Sequence, residues 1–410
     1  MNNLKNKINN KKAIVCVIGL GYVGYPLLKL VSKSGFKTIG IDSDKNKLKK
    51  FKSKKLRNIL FTKDYSNIRR SDIIIFTLPT PINKLKKPDL KILKNSVYVS
   101  SKYLKDYQLI IFESTSYPGT TEECTEILKN NSSKKISTAY SPERIDPGNK
   151  KFDIKNITKI VSADSIFELS LIELFYKKIF KKIVNSSDIK TAEMAKIFEN
   201  IFRSVNIGLV NEMKQISKKL KINFIEVLKL AETKPFGFMK FLPGPGVGGH
   251  CIPVDPYYLN WVAKKNKVSS RFIELSGEIN NKMPSVLFNE INKIIKKLKI
   301  KNKPKLLFIG LSYKKNINDY RNSPALEIFE KFINKKNLNI EYNDNFISSI
   351  KISNKKYISK KINYQKLNKF DSVILLTDHD YINYRKLSKF SKLILDCRNK
   401  FYNEKNVINL

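Results

Sequence analysis

The sequence predicts an α/β protein: two domains of parallel sheet flanked by helices, joined by one long central helix. Three observations carry this. Apolar runs of strand length alternate with helical patterns up to about residue 185, and the alternation returns after residue 304. Between the two, the stretch beginning SSDIKTAEMAKIFENIF keeps apolar residues three and four apart, without a proline, as far as Leu220. The length, 410 residues, is more than one hydrophobic core holds. The expected division is residues 1–185 for the first sheet, 186–300 for a helical part and 301–410 for the second sheet.

Residues 13–19, AIVCVIG, read as the first strand, and LGYVGYPLLKLVSKSG as the helix after it, stopped at Gly35. FKTIGID is a second strand that ends on Asp42. Gly19, Gly21 and Gly24 spell GxGxxG, and Asp42 follows Gly19 by 23 residues. Strand, glycine turn, helix, strand and acid, in that order, describe a dinucleotide-binding βαβ unit, so the domain is expected to be Rossmann-like. Gly19 makes the turn, Gly21 lets backbone approach a pyrophosphate, and Gly24 packs helix on strand. The helix N-terminus faces the phosphates. Asp42 is expected to accept from the adenosine ribose 2′-hydroxyl, which favours NAD over NADP, and the nearby Lys47 weakens that preference.

Further strands are expected at 71–79, 107–114 and 135–140. They end in the loops PTP, STSYPGTT and SPERIDPGN, which carry Thr80, Thr115 and Glu143. Ligands bind at the carboxyl ends of parallel strands, so these loops should line the cofactor cleft. A strand–helix–strand unit follows at 157–184.

The composition narrows the class. Hydrophobic residues make up 41% and aromatics 11%, enough for packed cores and too much for disorder. Four scattered cysteines (Cys16, Cys124, Cys251 and Cys397) show neither metal spacing nor a disulfide framework, which fits a reducing cytoplasm. No metal site and no membrane span are expected. The basic N-terminus, MNNLKNKINNKK, reads as a short solvated lead-in to the first strand. The formal net charge is +43, but the lysines are spread along the whole chain beside abundant Asn and Ile. That pattern points to coding bias rather than a nucleic-acid footprint, and a basic field still draws in anionic substrates.

Ser187 or Asp188 caps the long helix, expected over 187–220, with Ala192, Ala195, Phe198, Phe202, Val205, Leu209 and Met213 along one side. A helix of this length joins domains or forms a dimer seam. Lys196 and Asn200 are four apart and share a face. After a short helix near 224–232 comes GPGVGGHCIPVD, in which Cys251 follows a glycine run and His250 and precedes Asp255. Glycine backbone leaves room for a substrate beside a reactive thiol, or Cys251 simply packs as a small hydrophobe. Helices at about 256–265 and 270–298 lead to the second α/β pattern, with strands from 304 and at 339–344, 371–378 and 392–399. Its loops carry Lys314, Arg321 and Arg398, cations suited to a substrate with phosphates. His379 reads as a surface histidine.

Seven motifs in order, VIGLGYVGYPL, PTP, ESTSYPGTT, SPERIDPGN, EMAKIFEN, GPGVGGHCIPVDP and GLSYKKNINDYRNSP, resemble the UDP-glucose/GDP-mannose dehydrogenase superfamily, over nearly the whole chain. The SPERIDPGN and GPGVGGHCIPVDPYYL versions look most like bacterial UDP-N-acetylglucosamine 6-dehydrogenases. The resemblance implies two Rossmann-like domains joined by the long helix, and a homodimer formed through it. It implies oxidation of the C6 alcohol of a UDP-sugar to a carboxylate with two NAD and one water, the sugar being N-acetylglucosamine first and otherwise glucose, N-acetylmannosamine or N-acetylgalactosamine, and a product that feeds surface polysaccharide synthesis. Cys251 matches the nucleophile that forms a thiohemiacetal and then a thioester. Lys196 and Asn200 match the oxyanion-stabilising residues. Glu143 and Asp255 match the acid–base carboxylates, and Thr115 the residue that positions water. Cofactor contacts carry over to Gly19, Gly21, Tyr22, Val23, Gly24, Asp42, Lys47, Thr80, Thr115 and Arg321. Substrate contacts carry over to Glu143, Lys196, Asn200, Gly248, Lys314 and Arg398. A two-electron hydroxyacid dehydrogenase has a similar plan but needs no cysteine. A nucleic-acid-binding protein is the alternative that charge alone would suggest.

Overall fold

A computed structural model describes residues 2–54, 56, 58–83, 85–145, 154–250, 252–300, 302–402 and 404–410. The chain divides into two units, Met1–Glu199 with Tyr257–Val262, and Asn200–Pro256 with Ala263–Leu410.

The first unit opens on α1 (Asn2–Asn9), then β1 (Ile14–Ile18), α2 (Gly24–Lys33), β2 (Lys37–Ile41), α3 (Lys45–Lys52), β3 (Ile59–Thr62) and β4 (Ile73–Phe76). It continues through α4 (Lys91–Ser101), β5 (Gln108–Phe112), α5 (Thr120–Asn130) and β6 (Ile136–Tyr140). The six strands form one parallel sheet in the order β3-β2-β1-β4-β5-β6. Strand order reverses between β1 and β4, so the chain leaves β1 to one side first and to the other afterwards. The carboxyl ends of those two strands therefore flank a crevice.

Both faces of the sheet are covered, which is why its central strands are continuous apolar runs. Val15, Val17, Ile73, Ile75, Leu109 and Ile111 point into one core. Their neighbours Cys16, Ile18, Ile74, Phe76, Ile110 and Phe112 point into the other. That is the two-residue period of a strand written on both sides at once.

The lead-in at the N-terminus is not solvated as expected. Leu4 and Ile8, one helical turn apart on α1, are buried in the first of these cores, and Lys7 Nζ reaches Asp72 Oδ1 at 2.9 Å. An i, i+4 apolar pair is enough to dock so short a helix on a neighbour, even in a polar, basic stretch.

β7 (Lys159–Val161), α6 (Ile166–Lys177) and β8 (Ile183–Asn185) follow, with β7 and β8 parallel. α7 (Ile189–Lys219) begins in the first unit and continues into the second. Asp188 caps it, accepting from the Thr191 backbone at 2.8 Å.

α8 (Phe224–Glu232) comes next, then α9 (Asp255–Lys265) and α10 (Arg271–Lys297). The second sheet contains β9 (Lys305–Ile309), then after α11 (Pro324–Ile333) β10 (Asn339–Asn343). A separate antiparallel pair, β11 (Ser349–Ile352) and β12 (Lys355–Ile358), precedes β13 (Ser372–Leu375), α12 (Tyr384–Phe390), β14 (Ile394–Asp396) and β15 (Val407–Asn409). The sheet order is β10-β9-β13-β14-β15, all parallel. Sequence reasoning missed α1, α3, β3, the small hairpin and β15. These are short pieces whose apolar content is too thin to show a period.

Beside its buried Ile189, Ala192, Ile197, Ile201 and Val210, α7 carries an inverted pattern of polar and apolar residues. Glu193, Lys196, Asn200, Ser204 and Asn211, a polar stripe at helical spacing, are buried. Phe198, Phe202, Leu209, Met213 and Leu220 are exposed, Phe198 at 60%. A lone soluble domain rarely leaves such a row in water.

Candidate active site

The glycine turn between β1 and α2 is shaped by close contacts. Gly19 has φ +94°, and a Cβ on Gly24 would lie 2.0 Å from the Gly19 carbonyl oxygen. Thr77 Oγ1, at the end of β4, donates to that same oxygen at 2.7 Å. A Cβ on Gly21 would meet nothing within 4 Å. Val23 stands at the N-cap of α2 and no side chain caps the helix, while Tyr22 beside it is exposed. With no side-chain cap among the described residues, this helix end and its glycine turn fit a pyrophosphate.

Asp42, at the end of β2, accepts from Leu20 N at 2.8 Å and Asp44 N at 2.9 Å, and Lys47 Nζ stands 3.6 Å away. A carboxylate has about four acceptor positions, so the two N–H bonds orient Asp42 and leave capacity for a ribose hydroxyl.

The loops after β4 and β5 are tied together. Thr80 Oγ1 donates to the Thr115 carbonyl at 2.5 Å and Ser114 Oγ to the Leu78 carbonyl at 2.9 Å. Glu193, on α7, holds the far end of the β5 loop, accepting from Gly119 N at 2.6 Å, Thr121 N at 2.9 Å and Thr121 Oγ1 at 2.7 Å. It acts as a borrowed cap for α5. Burial pushes its carboxyl up to about 7, against the pull of those three donors. Three residues further along α7, the Lys196 side chain is buried (9% exposed) and makes no hydrogen bond or ion pair among the described residues. Glu143, after β6, accepts from Arg144 N at 2.7 Å and Ile145 N at 2.6 Å and pairs with Lys159 at 3.4 Å. The rest of its motif, residues 146–153, lies outside the described residues.

In the second unit, Asn200 Nδ2 donates to Asp255 Oδ2 at 2.6 Å, with both residues buried. Asp255 is the first residue of α9, so this bond joins the end of the GPGVGGHCIPVD loop to α7. The loop's start is joined to the same helix: Gly244 N donates to Asn211 Oδ1 at 2.9 Å, and Asn211 Nδ2 donates to Asn280 Oδ1 on α10 at 3.2 Å. Pro284 within α10 has no N–H to offer the Asn280 carbonyl, and Gly246 packs against that oxygen, where a Cβ would lie 2.7 Å away.

At Gly248 and Gly249 the missing side chains let a protein side chain approach. A Cβ on Gly248 would lie 2.6 Å from Tyr313 Cβ, and one on Gly249 would lie 2.6 Å from the Tyr313 ring. The spared space is taken by Tyr313. Gly249 N donates to the Arg321 carbonyl at 3.2 Å, and Asn322 Nδ2 to the Gly249 carbonyl at 3.1 Å. His250 is exposed beside them; partial desolvation and the Arg321 cation lower its pKa, with Asp319 opposing. Cys251 itself lies outside the described residues. The other three cysteines are buried. Burial pushes the thiols of Cys16 and Cys124 up to about 12 and that of Cys397 higher still. None of the three is a thiolate at neutral pH.

Of the basic residues in the C-terminal loops, Arg321 is held bidentately by Asp319 at 2.8 and 2.6 Å, and Arg398 Nε donates to Asp378 at 3.1 Å. Lys314 lies half-buried in the loop after β9.

His379 is not on the surface. It is 0% exposed, between the rings of Phe346 and Tyr381. Its Nδ1 accepts from Asn316 N at 3.0 Å, which puts the proton on Nε2, 3.1 Å from Asp344 Oδ2. Asp344 also accepts from Leu311 N at 2.9 Å and Ser312 N at 3.2 Å. The histidine therefore holds the middle of the loop that carries Lys314 at Asn316, and its partner Asp344 holds the start at Leu311 and Ser312. Partners 63 and 35 residues away leave no local signal in the sequence. His379→Phe should fill the stack but orphan the Asn316 amide and one Asp344 acceptor. The expected loss is about 2–4 kcal/mol, read as a fall in the urea midpoint at unchanged slope.

Comparison with known proteins agrees with this geometry. Models of the UDP-glucose/GDP-mannose dehydrogenase family match the chain in three parts: the NAD binding domain at residues 13–184, the central domain at 190–282 and the UDP binding domain at 307–404. Protein CapL of Staphylococcus aureus is 35% identical over 389 residues, 90% of each chain. The UDP-N-acetyl-D-glucosamine 6-dehydrogenase of Pseudomonas aeruginosa is 33% identical over 355 residues, 82% of this chain and 83% of that one. The solved structure of a UDP-D-ManNAc dehydrogenase from Pyrococcus horikoshii superposes with a TM-score of 0.83 at 28% identity, over 95% of this chain and 96% of that one. With a nucleotide turn at one end, a sheet for UDP at the other and the inverted helix between them in sequence, the chain belongs to the UDP-glucose/GDP-mannose dehydrogenase family and is an NAD-dependent oxidoreductase of UDP-sugars.

Proposed function

We propose that the protein oxidises the C6 hydroxyl of a UDP-N-acetylhexosamine to the uronate through a covalent intermediate on Cys251. One observation carries the reading: the 2.6 Å bond from Asn200 to Asp255, which ties the end of the GPGVGGHCIPVD loop to α7 one turn from Lys196, buried and unpaired among the described residues. NAD, when bound, would supply the hydride acceptor for both oxidations. Gly19, Gly21, Tyr22, Val23, Gly24, Asp42, Lys47, Thr80, Thr115 and Arg321 would hold it, the turn at the pyrophosphate and Asp42 at the ribose. Cys251, as thiolate, adds to the C6 aldehyde to give a thiohemiacetal, and the thioester formed from it is hydrolysed by water that Thr115 positions. Lys196 and Asn200 stabilise the oxyanion that develops at C6. Glu143 and Asp255 move the protons. Gly248, Lys314 and Arg398 would take the sugar nucleotide.

For the sugar we propose UDP-N-acetylglucosamine, from the SPERIDPGN and GPGVGGHC motifs. UDP-N-acetylmannosamine is the second reading, favoured by the likeness to the Pyrococcus horikoshii structure. The exposed apolar row on α7 supports a homodimer formed through that helix, the scattered free thiols support a cytoplasmic enzyme, and the family resemblance implies a product that feeds polysaccharide synthesis.

The test is NADH yield at 340 nm with each UDP-sugar in turn. Two NADH per sugar nucleotide are expected, and a yield of one would reject the four-electron reaction in favour of a two-electron dehydrogenase. NADH from UDP-glucose alone would reject the N-acetyl specificity.

A further inference from the structure

Behind Glu143 lies a buried charged cluster that the proposed reaction does not use. Lys159, on β7, has a side chain only 4% exposed. Its Nζ is 3.0 Å from Glu113 Oε2 and 3.4 Å from Glu143 Oε2, and it donates to the Pro142 carbonyl at 3.3 Å. The rings of Tyr176 and Phe180 lie against the ammonium, their centroids 5.2 and 5.4 Å away. Tyr176 Oη donates to Glu113 Oε1 on the far side. Arg144, the residue next to Glu143, pairs instead with Glu199 at 2.7 Å.

Taking an ammonium out of water costs several kcal/mol, and only good pairing offsets it. Burial alone would lower the pKa of Lys159; the carboxylates of Glu113 and Glu143 outweigh burial and raise it. Burial likewise pushes Glu113 up to about 7, with Lys159 opposing and Glu143 reinforcing the rise. A salt bridge whose role was stability alone would be complete with Glu113. A pair of that kind is often replaceable by apolar residues without loss. What the pairing with Glu113 does not explain is the other half of the geometry, in which the same ammonium grips both the backbone of Pro142 and the side chain of Glu143.

We propose that Lys159 is the positioning residue for Glu143, fixing the carboxylate and the backbone that carries it, with Glu113 and Tyr176 anchoring the ammonium from behind. The inference rests on the reading of Glu143 as an acid–base carboxylate. The orientation supplied by Lys159 is the kind that can be lost over about 1 Å at a cost on the order of a hundredfold in rate.

Lys159→Met alone leaves Glu113 buried without its cation and is expected to be strongly destabilised. The informative variant is therefore Lys159→Met with Glu113→Gln, which removes both charges and keeps an acceptor for Tyr176. Rates of NADH formation from UDP-N-acetylglucosamine, or from UDP-N-acetylmannosamine if only that sugar turns over, are compared for this pair, for Glu143→Gln, and for all three substitutions together. The pair is expected to keep a Tm close to that of the parent and its KM for NAD and for the UDP-sugar, and to lose about a hundredfold in kcat. In the triple variant kcat should match Glu143→Gln within about threefold, because a residue acting through Glu143 has nothing left to position. Retained kcat in the folded pair, or losses that multiply in the triple variant, overturns the inference. If the pair does not fold, Lys159→Arg is read in the same cycle with Glu143→Gln, under the same two criteria. Full activity of Glu143→Gln is a different result: it removes the role of Glu143 itself.

Discussion

Cys251→Ser is expected to lower the rate of carboxylate formation on the order of 10⁴-fold, since a serine hydroxyl at neutral pH neither captures the aldehyde as a thiolate does nor yields an easily hydrolysed ester. The other cysteines cannot take over. Cys16 and Cys124 are buried with thiols pushed up to about 12, and Cys397 is buried and higher. The first oxidation needs no thiol, so an aldehyde trap such as hydroxylamine should recover NADH formation at one per sugar nucleotide. An unchanged rate of acid formation in this variant would falsify the covalent route.

Lys196→Met separates activity from stability. Removing one preorganised donor from an oxyanion site costs about 10²–10³ in kcat, or roughly 2.7–4 kcal/mol of barrier. Yet Lys196 is buried with no ion pair or hydrogen bond among the described residues, so its removal breaks no bond to any of them. A buried cation without a partner is a cost that a methionine of similar length does not carry. Thermal unfolding should therefore shift upward, by about 2–4 °C for each kcal/mol recovered in a chain of this size, while turnover collapses. A variant that loses stability and keeps turnover would mark Lys196 as structural.

Much of the first unit is legible from sequence because local backbone requirements dictate its residues. The turn at Gly19 needs a positive φ, Gly24 has no space for a side chain, and β1, β4 and β5 are buried on both faces. Asn200 and Asp255, which the structure brings together at 2.6 Å, were legible only through the motifs EMAKIFEN and GPGVGGHCIPVDP that carry the family resemblance. What escaped is of two kinds. Short elements such as β3, with four residues, are too brief for a period to register. Residues that act across the sequence carry no spacing signal: Lys159 meets Glu113 from 46 positions away, counting from their numbers, and Asn211 meets Asn280 from 69. The glycines at 248 and 249 were legible as a constraint but not as to its cause, since Tyr313 lies some 65 residues downstream.

The inverted helix α7 also bears on how this protein can be engineered. Routine stabilisation replaces buried polar residues with apolar ones and exposed apolar residues with charged ones. Applied to α7, the first rule would delete Glu193, Lys196, Asn200 and Asn211, and the second would rewrite Phe198, Phe202, Leu209 and Met213. Both changes would make the isolated chain look more conventional. Together they would erase the donors that we assign to the reaction and the apolar row on which we base the dimer, so α7 should be held fixed in any solubility or thermostability design on this scaffold.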